Sequence, residues 1–203
     1  GGGAYASPYS VSAVVAAERP GIVTITGPTK PAADDLEGYL RSRYAPDYPL
    51  SLYADLRIGT GGKRGDDPSA AASDICALLS ALSGVPLRRN LAVAGGFGHT
   101  GDILPVEGIT ERVEGFFRIC RCSGFDGELG ILIPKRNLAD LFLDEETGEA
   151  VREGKLVLYA VSTVDEALAL LTGLGVKELD EKISSRLEDF QRAAGDSAGS
   201  LNQ

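Results

Sequence analysis

Between residues 71 and 83 the chain reads AASDICALLSALS, and Ile75, Leu78, Leu79 and Leu82 fall at i, i+3, i+4 and i+7. That spacing gathers four large apolar side chains on one face of a helix. It predicts a helix over residues 69–83, and Gly84 followed by Pro86 supplies its stop. A second stripe of the same period runs through Ile109, Val113, Phe116, Phe117 and Cys120. GIVTITG (21–27) is β-branched and bounded by glycine, and LSLYADLRI (50–58) alternates apolar with polar, so both predict strands. The segment 31–45 between them predicts a helix opened by Pro31, and residues 59–68, rich in glycine and charge, read as a loop. LAVAGG predicts a short buried strand, FGHTGDILP a turn plus a strand, and GILIP another strand. A short helix near Arg136–Phe142, a charged stretch, the strand LVLYAV and the helix TVDEALALLTG continue an α/β alternation. Residues 179–192 predict a terminal helix, and AGDSAGSLNQ reads as a disordered tail. The division that follows is an arm or linker over 1–20, one mixed domain over 21–175, and a C-terminal helix with its tail over 176–203.

Composition narrows the classes. With 203 residues, 43% of them hydrophobic and 24% charged, the chain can bury a substantial core. Its 29 acidic against 20 basic residues give a net charge of −9, which argues against a broad electrostatic grip on nucleic acid or anionic lipid. No apolar run approaches the roughly 20 residues that span a bilayer, and the N-terminus lacks the order of a signal peptide, so the reading is cytoplasmic. Cys76, Cys120 and Cys122 are an odd number of cysteines on predicted helices, which suits reduced thiols. The Cys-Arg-Cys pair is weak as a metal motif in a chain with one histidine. The chain contains no methionine, as expected of a domain cut from something longer.

GTGGKRG (59–65) invites a phosphate-loop reading, but Lys63 is followed by Arg64 and Gly65 where such a loop needs Ser or Thr. Ser69 is the more consequential residue. By local pattern it is an ordinary residue of the first helical turn, with Asp67 as cap and Pro68 suited to that turn. A hydroxyl there also lies beside free N–H groups and the positive end of the helix dipole, which together can stabilise an oxyanion. Nucleophilic chemistry needs a base as well. The single histidine, His99, belongs to a glycine-rich turn, so a Ser/His triad is disfavoured and Ser/Lys chemistry stays open.

DDPSAAASDICALLSALSGVPLR, then LAVAGGFGHTGDILPVEGITERVEGFF, then LGILIP resemble the proteolytic domain of Lon proteases, above all its ATP-independent Lon-like branch. The shared order is a Pro-Ser-Ala element opening a helix, a helix end with Gly-x-Pro-x-Arg, a strand, a Gly-Gly turn, a helix carrying the basic residue of the dyad, and a strand ending Ile-Pro. The match runs without a gap from Asp66 to Phe117 and loosely to about Gly173. It implies an α+β Lon proteolytic-domain fold of small sheets packed with helices. Ser69 takes the nucleophile position of the Ser/Lys dyad and Asp66 that of a nearby acidic residue. Arg112 stands where the lysine belongs. Ala94 replaces a threonine whose hydroxyl supports that lysine, Gly96 replaces a glutamate, and Glu107 replaces the first glycine of the turn.

The resemblance therefore implies a Lon-type serine peptidase domain acting on unfolded protein or peptide, impaired at its base. A guanidinium stays protonated above roughly pH 12 and cannot take the serine proton. The rival expectation is a pseudopeptidase that serves as a peptide-binding or ring-assembly module, with Arg112 paired to Asp66 or Asp67; Lys63 is the remaining candidate base. The resemblance also implies a hexameric ring and, in a longer protein, an attached ATPase. It implies no cofactor or metal, and neither nucleic acid nor a membrane as partner.

Overall fold

In the computed structural model the described residues are 9–59, 70–124 and 127–200, with side chains described to residue 197. The architecture is α+β: three small sheets carry helices on their faces. The first sheet has the order β1-β3-β2, from Val11–Ala16 (β1), Val23–Thr26 (β2) and Leu52–Ile58 (β3). β3 lies centrally, antiparallel to β1 and parallel to β2. Helix α1 (Lys30–Tyr44) makes the crossover between β2 and β3, and helix α2 (Ala71–Ser83) packs across β1.

The second sheet is parallel throughout, in the order β4-β7-β8, from Leu91–Val93 (β4), Leu129–Pro134 (β7) and Leu156–Val161 (β8). β7 is buried along its whole length, as a central parallel strand covered on both faces must be. Gly130 of β7 has no space for a side chain, since a Cβ would come within 2.4 Å of Leu91. The hairpin of Gly96–Phe97 (β5) and Ile103–Leu104 (β6) and the helix α3 (Ile109–Cys122) separate β4 from β7. A 3-10 helix (Lys135–Asp140) and helix α4 (Glu145–Arg152) separate β7 from β8, and α5 (Val164–Thr172) and α6 (Val176–Ser200) close the chain.

Two cores result. The larger gathers Leu36, Leu40, Leu52, Ile75, Leu79 and Ile183 from α1, β3, α2 and α6. The smaller gathers Val113, Phe116 and Phe117 of α3 with Ile131, Ile133 and Leu156 of the parallel sheet.

Three segments differ from the sequence reading. The arm expected over 1–20 contains β1, which pairs along its own full length with β3, from Val11 opposite Ile58 to Ala16 opposite Tyr53. Its inward positions Val11, Ala13 and Val15 pack on the larger core, a modest apolar alternation that is easily taken for a linker. The charged stretch after residue 142 contains α4, whose buried residues are only Thr147 and Ala150, too small to show as a stripe. Finally, the helix expected to end at residue 192 continues to Ser200 through the segment read as a disordered tail, and Ala194 within it is buried.

Candidate functional site

The start of α2 is built from small residues and tied to the end of β4. Ala70 precedes the helix with φ −90° and ψ −13°, and no side-chain cap bond is made there among the described residues. The Ala72 N–H instead donates to the Gly95 carbonyl at 3.2 Å, and Ser73 Oγ donates to the Val93 carbonyl at 3.1 Å. Gly95 adopts φ +148°, and a Cβ there would come within 2.9 Å of Ile103, so glycine is required for the strand to turn under the helix. Helix start and strand end are thereby held as one unit.

Opposite stands α3. Val113, Phe116 and Phe117 bury one face of it in the smaller core, and Arg112 is half-buried at the border of that face. The Arg112 Nε donates to the Glu107 carbonyl at 3.3 Å. Asn137 fixes the loop before the helix: its Oδ1 accepts from the Val106 N–H at 2.9 Å and its Nδ2 donates to the Val106 carbonyl at 3.0 Å.

Between these walls lies a cavity of about 600 Å³, floored by β4. Ala70 and Ser73 of α2, Ala94 at the end of β4, and Arg112 and Phe116 of α3 all line it. β4 is the edge of its sheet. Asn90 and Ala94 bond to β7 through the Asn90 carbonyl and the Ala94 N–H, and by the alternation of a parallel ladder Leu91 and Val93 face away from β7. The Leu91 carbonyl and the Val93 N–H thus have no strand partner among the described residues. At the far end of β4, Arg88 and Arg89 also line the cavity.

Arg112 and Ala94 are thus brought together on one cavity with Ala70, while Ser69, Asp66, Asp67 and Lys63 lie outside the described residues. Gly96 is buried in β5, where it pairs with Leu104, and Glu107 offers its carbonyl to Arg112. His99 is exposed, with Nδ1 4.0 Å from Asp35, and does not line the cavity. Cys76 lies buried in the cavity wall, where burial pushes its thiol up to about 12, and Cys120 is likewise raised by burial. Both favour the protonated, unreactive form at neutral pH. Among the described residues no group of three potential metal ligands occurs, and no helix is long and apolar enough to cross a membrane.

Residues 52–173 match the family model of the Lon protease (S16) C-terminal proteolytic domain, which is more than half of the chain. The chain belongs to that family. A putative Lon protease homolog of Escherichia coli is 33% identical over 165 residues, which is 79% of this chain and 28% of that protein. The archaeal Lon protease of Archaeoglobus fulgidus is 31% identical over 138 residues, 68% of this chain and 20% of that protein. Lon protease 1 of Sorangium cellulosum is 39% identical over 114 residues, 56% of this chain and 13% of that protein. The chain therefore spans less than a third of each of these relatives. In this Lon-type domain the sequence pattern pointed to Ala94 and Arg112 through the family order. It named Arg88 only as the arginine of the Gly-x-Pro-x-Arg helix end, with no role in a site, and it did not point to Arg89 or the open edge of β4. The two arginines are adjacent in sequence and carry no periodicity, and sheet order is not written in any local pattern.

Proposed function

We propose that this Lon-type domain holds an extended peptide in the cavity between α2 and α3, and that Ser69 cleaves it slowly or not at all. The observation that carries the reading is that Arg112 lines the same cavity as Ala70, the covalent neighbour of Ser69. The open Leu91 carbonyl and Val93 N–H suit a peptide that adds as a strand to the β4 edge. Peptide hydrolysis by Ser69 would form a bond from its oxygen to the scissile carbonyl carbon and then break the C–N bond, after which water releases the acyl group. The serine proton must first pass to a base and then to the leaving amine. Arg112 cannot receive it, because guanidinium holds its proton through the whole working range.

The surroundings have changed together with the base. Ala94 and Gly96 bring no hydroxyl or carboxylate to support a lysine at position 112. Arg112 is suited instead to a standing pair with Asp66 or Asp67, and a pseudopeptidase that only binds peptide is the limiting form of this reading. The family membership extends the proposal to self-association in a ring, to an ATPase portion in a longer protein, and to a cytoplasmic setting.

The test is hydrolysis of fluorescent casein by the wild type, Arg112→Lys and Ser69→Ala, with a fluorophosphonate probe of serine reactivity alongside. General bases contribute about 10²–10⁴-fold. Arg112→Lys should raise a near-background rate by at least about tenfold, short of full recovery because Ala94 and Gly96 leave the lysine poorly held. Robust wild-type cleavage that Ser69→Ala abolishes would overturn the impairment and direct attention to Lys63.

A further inference from the structure

We propose that the cavity selects peptides bearing a carboxylate, and that Arg88 and Arg89 receive it. The inference rests on the peptide-binding reading above and adds the substrate class. In a chain with 29 acidic and 20 basic residues, the cavity wall runs against the trend. Arg88, Arg89 and Arg112 line it, and none of the described residues that line it is Asp or Glu.

Several arginines elsewhere are committed to carboxylates. Arg43 holds Asp165 and Asp180, Arg57 holds Asp55, Arg118 holds Glu114 and Asp144, and Arg121 holds Glu146. Arg88 and Arg89 are exposed and hold no carboxylate among the described residues. Their position is nonetheless defined. The Arg88 N–H donates to the Leu171 carbonyl at 2.8 Å, and the Arg88 guanidinium lies over Gly173, where a Cβ would come within 2.7 Å of Nη2. Glycine at 173 leaves the space that this guanidinium occupies. A positioned Arg88 with Arg89 beside it, neither holding a carboxylate among the described residues, is a complement for an anion at the end of an apolar groove, and a guanidinium fork matches the geometry of a carboxylate.

Register follows from the same strand. Arg89 precedes Val93 by four residues, and an extended peptide along β4 rises roughly 3.3 Å per residue. The carboxylate would therefore lie about four or five residues from the peptide bond presented beside Ala94 and Arg112. It could be an Asp or Glu side chain or the peptide's own C-terminus, since both present the same group.

The experiment is fluorescence anisotropy of the full chain with fluorescein-labelled decapeptides that differ only by Glu or Gln at a scanned position. Each is made with a free and with an amidated C-terminus, and mass spectrometry confirms that they stay intact. The expected result is about tenfold tighter binding of the Glu peptide at one narrow register, roughly 1.4 kcal/mol. In Arg88→Gln/Arg89→Gln the Glu-to-Gln ratio should fall to near one. Arg89→Gln alone alters an exposed side chain, leaves packing untouched, and should lower the ratio partway. If only the free C-terminus confers the gain, the carboxylate is terminal; if amidated Glu peptides keep it, it is a side chain. Equal binding by the wild type of Glu and Gln peptides and also of free and amidated C-termini, or a carboxylate preference unchanged in the double variant, would overturn the inference while leaving peptide binding in place. Failure of every peptide to bind would instead remove the peptide-binding reading and this inference with it.

Discussion

The two walls of the cavity belong to differently built halves of the molecule. The α2 wall stands on the larger core, where α2 packs against β1, α5 and α6 and its apolar stripe is excluded from solvent. That half is fastened by a partly buried cluster. Arg43 bonds Asp165 at 3.1 Å and Asp180 at 2.9 Å, Tyr44 donates to Asp180 at 2.9 Å, and Tyr39 meets Phe97 edge-on with ring centroids 5.4 Å apart. The α3 wall stands on the smaller core, and the ion pairs that join it to α4, Arg118 with Asp144 and Arg121 with Glu146, are largely exposed. Exposed pairs contribute little. The α2 side of the cavity thus stands on the firmer support, whereas the side that carries Arg112 depends on a smaller core and a few loop hydrogen bonds.

Cavity-forming substitutions should separate the halves most clearly. Leu79→Ala in α2, at 1% exposure, should cost about 3 kcal/mol and lower the whole unfolding transition. Val113→Ala in α3, fully buried, should cost about 2 kcal/mol, with hydrogen exchange rising first in α3 and α4 while β3 stays protected. Equal loss of protection in β3 would show that the two cores unfold as one unit.

A smaller effect should come from the loop that sets the start of α3. Asn137→Ala removes both bonds to Val106 and one from Nδ2 to Asp140 at 3.2 Å, and it leaves the half-buried Val106 backbone groups without these partners. The expected cost is about 1–2 kcal/mol. Amide exchange should rise over residues 105–112 and not in α1 or α2. Unchanged exchange there would mean that Asn137 does not support the Arg112 side.

The smallest effect lies in the larger half. The Tyr39 hydroxyl is buried and has no hydrogen-bond partner among the described residues, so Tyr39→Phe should be neutral or stabilising by less than about 1 kcal/mol at pH 7. Burial pushes the Tyr39 phenol from 10.0 up to about 12, with neighbouring Arg43 opposing the shift. A raised folded value means that the neutral form is favoured by folding. Its contribution is fully present below pH 10 and is lost as pH rises from 10 to about 12. Denaturant titrations of the wild type should show that alkaline decline, and Tyr39→Phe should flatten part of it. The remainder belongs to Tyr44, Tyr48, Cys76 and Cys120, which burial also raises.

What the sequence made legible follows from side-chain size. Ile75, Leu78, Leu79 and Leu82 announced α2, and Val113, Phe116 and Phe117 announced α3, because large apolar residues recur at the helical period. α4 could have been found only from its ends, where Asp144 accepts from the Thr147 N–H and Glu145 and Glu146 follow in the first turn. The reading of Arg112 as standing where the family has a lysine rests on the family order, which gives that position a role. The convergence of Arg88 and Arg89 on the same cavity was not, since it depends on β4 lying at the edge of a parallel sheet whose other strands follow some forty and sixty residues later.

That the larger core is assembled from both ends of the described chain bears on how the domain is made. The smaller core draws on residues 94–156 and can close once β8 has been synthesised. α2 cannot acquire its neighbours α5 and α6 until residues 164–200 have emerged from the ribosome, although α2 itself was translated some ninety residues earlier. During that interval Leu79 and Leu82 lack Ile183 and Leu187 of their core, and the α2 wall of the cavity rests on β1, β3 and β5 alone. No described residue of α6 lines the cavity, so the last helix translated acts on it indirectly, by bracing the α2 wall from the side of the larger core.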